Sequence, residues 1–248
     1  VRVLGPIVNQ NKTIDGLGRN DAPHWRGAIT GGIWQSVRLI ASGSVMIDDV
    51  FVIPVLDEDV ARIGLTLENS GLLICEEQAI IEVEDEATGE VVAREERTIR
   101  LNPGVDVSEW VLSVPQAKRW SPDAPHLYRV RATVVDQDVE AHRFGMRELT
   151  IQDNEFILNG EPVYIKAAFF EGLYPTKLAL PDSREMAIQE IRLAKEAGFN
   201  MIRPWRKPPP PMWLDLCDEM GMMVVGGLPI ECMKLWPTVT PEMPRRIE

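Results

Sequence analysis

Between residues 45 and 150 apolar and polar side chains alternate with a period of two. Arg62, Gly64, Thr66 and Glu68 fall on one face of a run whose other face is Ile63, Leu65 and Leu67, which is the pattern of a half-buried strand. The same alternation predicts strands over 44–53, 79–84, 90–101, 105–113, 127–135 and 141–149. Turn residues separate them at Asn69-Ser70-Gly71, Thr88-Gly89, Asn102-Pro103-Gly104 and the Ser121-Pro122-Asp123-Ala124-Pro125 corner. Seven short strands in about 105 residues predict an antiparallel sandwich of immunoglobulin-like size, without the cysteine pair of antibody domains.

After Thr150 the period changes. A continuous apolar run over 162–170 predicts a buried strand, and a helix follows with Asp182 as N-cap, Glu185 completing a capping box and Gly198 as the left-handed stop. Ala187, Ile191 and Ala194 recur at the spacing of one buried helical face. A strand over 199–203, a helix over 209–220 with Trp213, Leu216, Cys217 and Met220 on one side, and a strand over 222–225 continue the series. The prolines over 208–211 set a turn and the first residues of the second helix. Strand, helix, strand, helix, strand is a parallel α/β unit. Three such strands need covered faces and neighbouring strands, so the expectation is the first part of a larger domain, most economically an eight-stranded barrel.

Composition narrows the function classes. The formal net charge is −12, with the acidic residues spread along the chain, which argues against a nucleic-acid or anionic-membrane surface as main partner. Cys75, Cys217 and Cys232 are odd in number and far apart, so buried free thiols are expected rather than a disulfide framework or a metal knuckle. No apolar stretch approaches the roughly 18 residues of a spanning helix. The first residues lack the basic start and apolar centre of a signal peptide, so the sequence gives no compartment. His24, His126 and His142 have no spacing that suggests ligation and are expected to be structural or surface residues.

Five motifs then share an order. Gly31-Gly32-Ile33-Trp34-Gln35-Ser36-Val37-Arg38-Leu39 resembles the closing strand of the N-terminal sugar-binding domain of glycoside hydrolase family 2, the β-galactosidase, β-glucuronidase and β-mannosidase family. Trp120-Ser121-Pro122, with Pro125, Leu127 and Tyr128, resembles that family's corner in its second domain. Arg143-Phe144-Gly145-Met146-Arg147, followed by Phe156 to Val163 with Asn159-Gly160 at its centre, is similar to the approach to the family's catalytic barrel. The stretches 197–203 and 216–224 are similar to the next two barrel strands.

The resemblance implies a multidomain chain, mainly β then α/β: an immunoglobulin-like β-sandwich at 45–150 followed by the first strands of a (β/α)8 barrel at 151–248, preceded at 1–44 by the end of a jelly-roll sugar-binding domain. It implies a fragment of a retaining β-glycosidase, acting on carbohydrate in the intact parent without an organic cofactor. Such enzymes need two carboxylates about 5–5.5 Å apart, and in this family both follow on later barrel strands. The chain by itself is therefore expected to be inactive. Asn154-Glu155 precedes the barrel in a polar turn, and Asp218-Glu219 is expected to be merely solvated on a helix. The alternative is a non-catalytic β-sandwich module for carbohydrate binding or protein contact.

Barrel sites form at the C-terminal ends of the strands. That rule places Phe169, Phe170, Glu171 and Tyr174 after the first strand, Arg203, Trp205 and Arg206 after the second, and Glu231 near the third. Glu171, Arg203, Trp205, Arg206 and Glu231 are the candidate substrate-binding residues. A guanidinium such as Arg203 forks onto a carboxylate or hydroxyls, and an indole such as Trp205 stacks under a pyranose face. Glu171 and Arg206 stand where β-galactosidases carry histidines. Glu231 stands where they carry a metal-binding glutamate, but Gly226-Gly227 replace the preceding acidic pair. The expectation is no metal, and these departures leave the galactosidase pattern unmet and the sugar unassigned.

The Trp, two prolines and Tyr of the 120–128 corner fix chain direction and pack between layers, with no catalytic role expected.

Overall fold

The computed structural model describes residues 36–170, 172, 174, 176–177, 180–204 and 209–226 of the 248. Residues 31–35 of the expected jelly-roll strand at 31–39 lie outside them, as do His24 and Cys232. Residues 36–43 carry no regular structure. The chain groups into two compact units, one of Leu39–Lys166 with Asp215–Met223 and one built on Ala167–Leu214.

In the first unit seven strands follow one another: β1 (Val45–Val55), β2 (Val60–Asn69), β3 (Cys75–Asp85), β4 (Glu90–Leu101), β5 (Gly104–Ser113), β6 (Tyr128–Val134) and β7 (Asp138–Phe144). They form one sheet in the order β1-β2-β5 and another in the order β4-β3-β6-β7, with antiparallel pairing throughout. This is a three-on-four sandwich. Period-two alternation decides which side chains meet inside it. Ala61, Ile63, Leu65 and Leu67 of β2 face Ala79, Ile81 and Val83 of β3 and Val130, Ala132 and Val134 of β6, all buried in one core with Trp110 and Leu112. The outer face of β3, β4 and β6 is charged, with Glu82 pairing Arg94 and Glu86 holding Arg129.

The expected strand over 141–149 is two strands. It breaks after Phe144 because Met146 is spent elsewhere: its carbonyl accepts the Trp120 N–H at 3.0 Å, its side chain is buried, and it bridges Arg119. Beyond the break β8 (Leu149–Gln152), β9 (Glu155–Leu158) and β10 (Glu161–Pro162) form a small antiparallel meander. Its two turns, Asp153-Asn154 and Asn159-Gly160, have φ of 49° and 66°, and of 54° and 85°, the left-handed pairs of tight hairpins. The expected strand over 162–170 is likewise divided. Pro162 ends the meander, and the next strand, β11, begins at Ala167. An apolar run does not reveal where the chain changes partner.

Farther along the chain β11 (Ala167–Phe170), α1 (Arg184–Glu196), β12 (Met201–Pro204), α2 (Pro211–Met220) and β13 (Met223–Val224) follow in the expected order; the second unit takes α2 only as far as Leu214, since Asp215–Met223 group with the sandwich. The sheet order is β11-β12-β13, and β11 pairs β12 in parallel. Ala187 and Ile191 are the fully buried face of α1. Its N-cap is Ser183, not Asp182. Ser183 is extended and its Oγ accepts the Met186 N–H at 3.2 Å, whereas the Asp182 carboxylate accepts the Lys177 N–H. The expected capping box with Glu185 is therefore out of register. Gly198, at φ 85°, closes the helix as expected, with the Phe199 N–H reaching the Ala194 carbonyl. Pro211 opens α2.

Candidate functional site

β11 and β12 bring the barrel-type strand ends together. Their parallel register sets Phe169 beside Arg203 and Phe170 beside Pro204, so Phe169 and Arg203 lie next to each other on one face, both exposed. Phe169 and Phe170 lie within β11, and Arg203 within β12, rather than beyond them. Phe170 stacks on Trp213 of α2, with ring centroids 4.8 Å apart and planes 12° from parallel. Of the five candidate substrate-binding residues, Arg203 is described; Glu171, Trp205, Arg206 and Glu231 lie outside the described residues.

Tyr174, expected on the rim, is buried. Its hydroxyl donates to Glu190 Oε2 of α1 at 2.8 Å. Burial, then the adjoining Glu190 carboxylate, pushes the Tyr174 hydroxyl far above its ordinary value. Burial also raises the Glu190 carboxyl, against the lowering effect of the Tyr174 hydrogen bond. The pair ties residue 174, just beyond β11, to α1. Sequence reasoning missed it because 16 positions separate partners with no repeating pattern.

The carboxylates of the last turns of α2 are not merely solvated. Arg143 Nη1 donates to Glu219 Oε1 at 2.7 Å, and Arg143 Nη2 lies 3.3 Å from Asp215 Oδ1. Burial pushes the Asp218 carboxyl up, partly offset by Arg147 and Arg143. The expectation failed because a helical pattern shows which residues face away from their own core, not whether a second surface covers them. Asn154, by contrast, sits in the expected polar turn, and Glu155 begins β9 exposed.

His126 packs against Tyr128 and its Nε2 lies 3.1 Å from the buried Asp85 carboxylate; His142 is exposed. Cys217 is buried and Cys75 half-buried, both as free thiols. Among the described residues no three His, Cys, Asp or Glu side chains are grouped to hold a metal ion, and no helix is long and apolar enough to cross a membrane.

An immunoglobulin-like sandwich followed in sequence by strands and helices in the order of a β/α barrel defines a multidomain architecture, mainly β then α/β, and comparison with known proteins makes it specific. The profile "Glycosyl hydrolases family 2" matches residues 45–147, and "Glycosyl hydrolases family 2, TIM barrel domain" matches 149–246. The chain belongs to glycosyl hydrolase family 2. It is 26% identical to a beta-galactosidase of Pseudoalteromonas haloplanktis and 28% identical to one of Alteromonas mediterranea, in each case across 83% of this chain and 21% of the relative. It thus spans about a fifth of the length of those relatives. Among solved structures it resembles a glycosyl hydrolase family 2 member from Bacteroides cellulosilyticus, with TM-score 0.67, 26% identity and coverage of 74% of this chain and 25% of that one. It also resembles a GH2 beta-galacturonidase from Eisenbergiella tayi bound to galacturonate, with TM-score 0.63, 25% identity and coverage of 73% and 32%.

Proposed function

We propose that this chain is the middle of a retaining β-glycosidase: the end of a jelly-roll sugar-binding domain at 1–44, an immunoglobulin-like domain at 45–150 and the first part of the catalytic barrel at 151–248. The intact parent hydrolyses a β-linked glycoside through two carboxylates on later barrel strands, without an organic cofactor. The chain alone contributes one side of the sugar pocket and no catalytic acid. Arg203 gives the guanidinium at the end of β12; Glu171, Trp205, Arg206 and Glu231 follow the three strand ends and complete that side. The observation that carries this reading is the side-by-side placement of Phe169 and Arg203 at the C-terminal ends of two parallel strands, where barrel enzymes hold substrate. Phe169 adds an apolar surface for a sugar face, and Arg203 a donor fork for hydroxyls or a uronate carboxylate. The likeness to a beta-galacturonidase bound to galacturonate supports an acidic sugar as one substrate to include in the test.

The test is hydrolysis of nitrophenyl β-galactoside, β-glucuronide, β-mannoside and β-galacturonide by the 248-residue chain. No turnover is expected. Turnover abolished by Glu171→Gln or Glu231→Gln would overturn the claim that the reaction needs carboxylates outside this chain.

A further inference from the structure

The motifs around Trp120 and Arg143 have no part in the chemistry above, yet their geometry is more demanding than core filling. Trp120 is 2% exposed, and its indole Nε1–H donates to the backbone carbonyl of Asp218, in the last turn of α2, at 2.9 Å. The similarly buried Trp110 indole nitrogen has no such acceptor among the described residues. The end of α2 carries its own closing turn as well. Gly221 takes φ 71°, and the Met222 N–H reaches back to the Cys217 carbonyl at 2.8 Å. That turn lies hard against the corner, because a Cβ on Gly221 would sit 2.3 Å from the Pro122 carbonyl oxygen. The Arg147 guanidinium lies over the Trp120 ring, 5.0 Å from its centroid, and Arg143 holds Asp215 and Glu219. Two cations and an N–H donor therefore meet the negative end of the helix dipole.

We propose that the Trp120 corner, with Arg143 and Arg147, is a helix C-cap supplied in trans, and that Trp120 is a positioning residue which fixes segment 215–223, the stretch that runs from α2 into β13. A residue that merely fills the sandwich core needs no N–H, and a free helix end needs neither the indole nor a glycine pressed onto Pro122. The WSP and RFG motifs are on this account one device, divided in the sequence and assembled at the end of α2.

The test is residue-resolved amide exchange in the full 248-residue chain. Trp120→Phe keeps an aromatic ring and removes the donor. Losing one such bond is expected to speed exchange at Met222 and its neighbours in 217–223 by about tenfold, while the core amides of β3 and β6 change less than twofold. Arg143→Gln is expected to speed the same segment by a smaller factor that shrinks as salt is raised. Equal acceleration throughout the sandwich, or none at 217–223, overturns the proposal. If Trp120→Phe does not fold, the unaltered chain decides. A trans cap requires the Trp120 indole proton and the Met222 amide proton to become exchangeable together as urea is added. An indole proton that exchanges while Met222 stays protected refutes it.

Discussion

Gly145→Ala isolates one steric demand of the RFG motif. A Cβ at position 145 would lie 2.7 Å from Trp120 Cβ, 2.9 Å from Cγ and 3.2 Å from Cδ1. Those atoms are at the root of a large side chain, and the residue is held on three sides. The Trp120 N–H donates to the Met146 carbonyl, the Trp120 carbonyl accepts from Asn159 Nδ2 at 2.9 Å, and the indole donates to Asp218. The ring cannot swing aside without giving up one of these bonds, so the backbone after β7 must move instead. Adding a methyl group to a packed interior typically costs about 1–3 kcal/mol, and the fixed Trp120 places this substitution at the upper end. Gly64→Ala is the control, since its added Cβ would meet nothing nearer than the Phe51 carbonyl oxygen at 3.9 Å. Urea unfolding followed by far-ultraviolet circular dichroism reads both. Gly145→Ala is expected to lower the midpoint without changing the slope, and Gly64→Ala to leave it within about 0.5 kcal/mol of the parent. An unchanged midpoint for Gly145→Ala would refute the close-packing account of the motif.

Two further outcomes concern the buried Asp85 and the half-buried Glu190 carboxylates. Burial alone would raise the Asp85 carboxyl, but the Ala87 N–H at 2.9 Å, Lys118 at 3.2 Å and His126 hold it below the ordinary value. Its stabilising contribution is present above the unfolded-state value near 4 and is lost as pH falls through the lower folded-state value. Asp85→Asn should therefore cost about 1–3 kcal/mol at pH 7 and almost nothing in strong acid, as read by urea midpoints against pH; a cost independent of pH would contradict the ionic role. Glu190 has the opposite sign. Its folded-state value is raised by burial, so the stability it contributes is present at low pH and lost as pH rises through that value. Glu190→Gln keeps an acceptor for Tyr174 and should unfold at pH 8 no earlier than the parent, while Glu190→Leu should unfold earlier. A destabilised Gln variant at pH 8 would show that the Tyr174 bond needs the charge.

How much of this was written locally differs by element. The seven sandwich strands were legible because each exposes one face to water and one to the core, so the period-two pattern is printed in the sequence at Ile63, Leu65 and Leu67 and again at Val130, Ala132 and Val134. The order of the barrel-type elements was legible for the same kind of reason: α1 carries its stop glycine, Gly198, and both helices carry a buried stripe. Errors fell where the chain changes partner without changing polarity, after Phe144 and at Pro162. They also fell at the α1 cap, where adjacent Asp182 and Ser183 compete and only the backbone angles decide.

The chemistry divides along the same line. Sequence alone determined the strand and helix order and put Arg203 at a strand end, since these follow from periodicity and from fixed strand direction. Tertiary structure alone set Phe169 beside it, buried Tyr174 against Glu190, and bound Arg143 to Asp215 and Glu219 across more than 70 positions of chain. Those pairings depend on which surfaces close over one another. A hydrogen bond between groups so far apart in sequence leaves no periodic trace, because each partner alone is a polar residue that water would satisfy equally well.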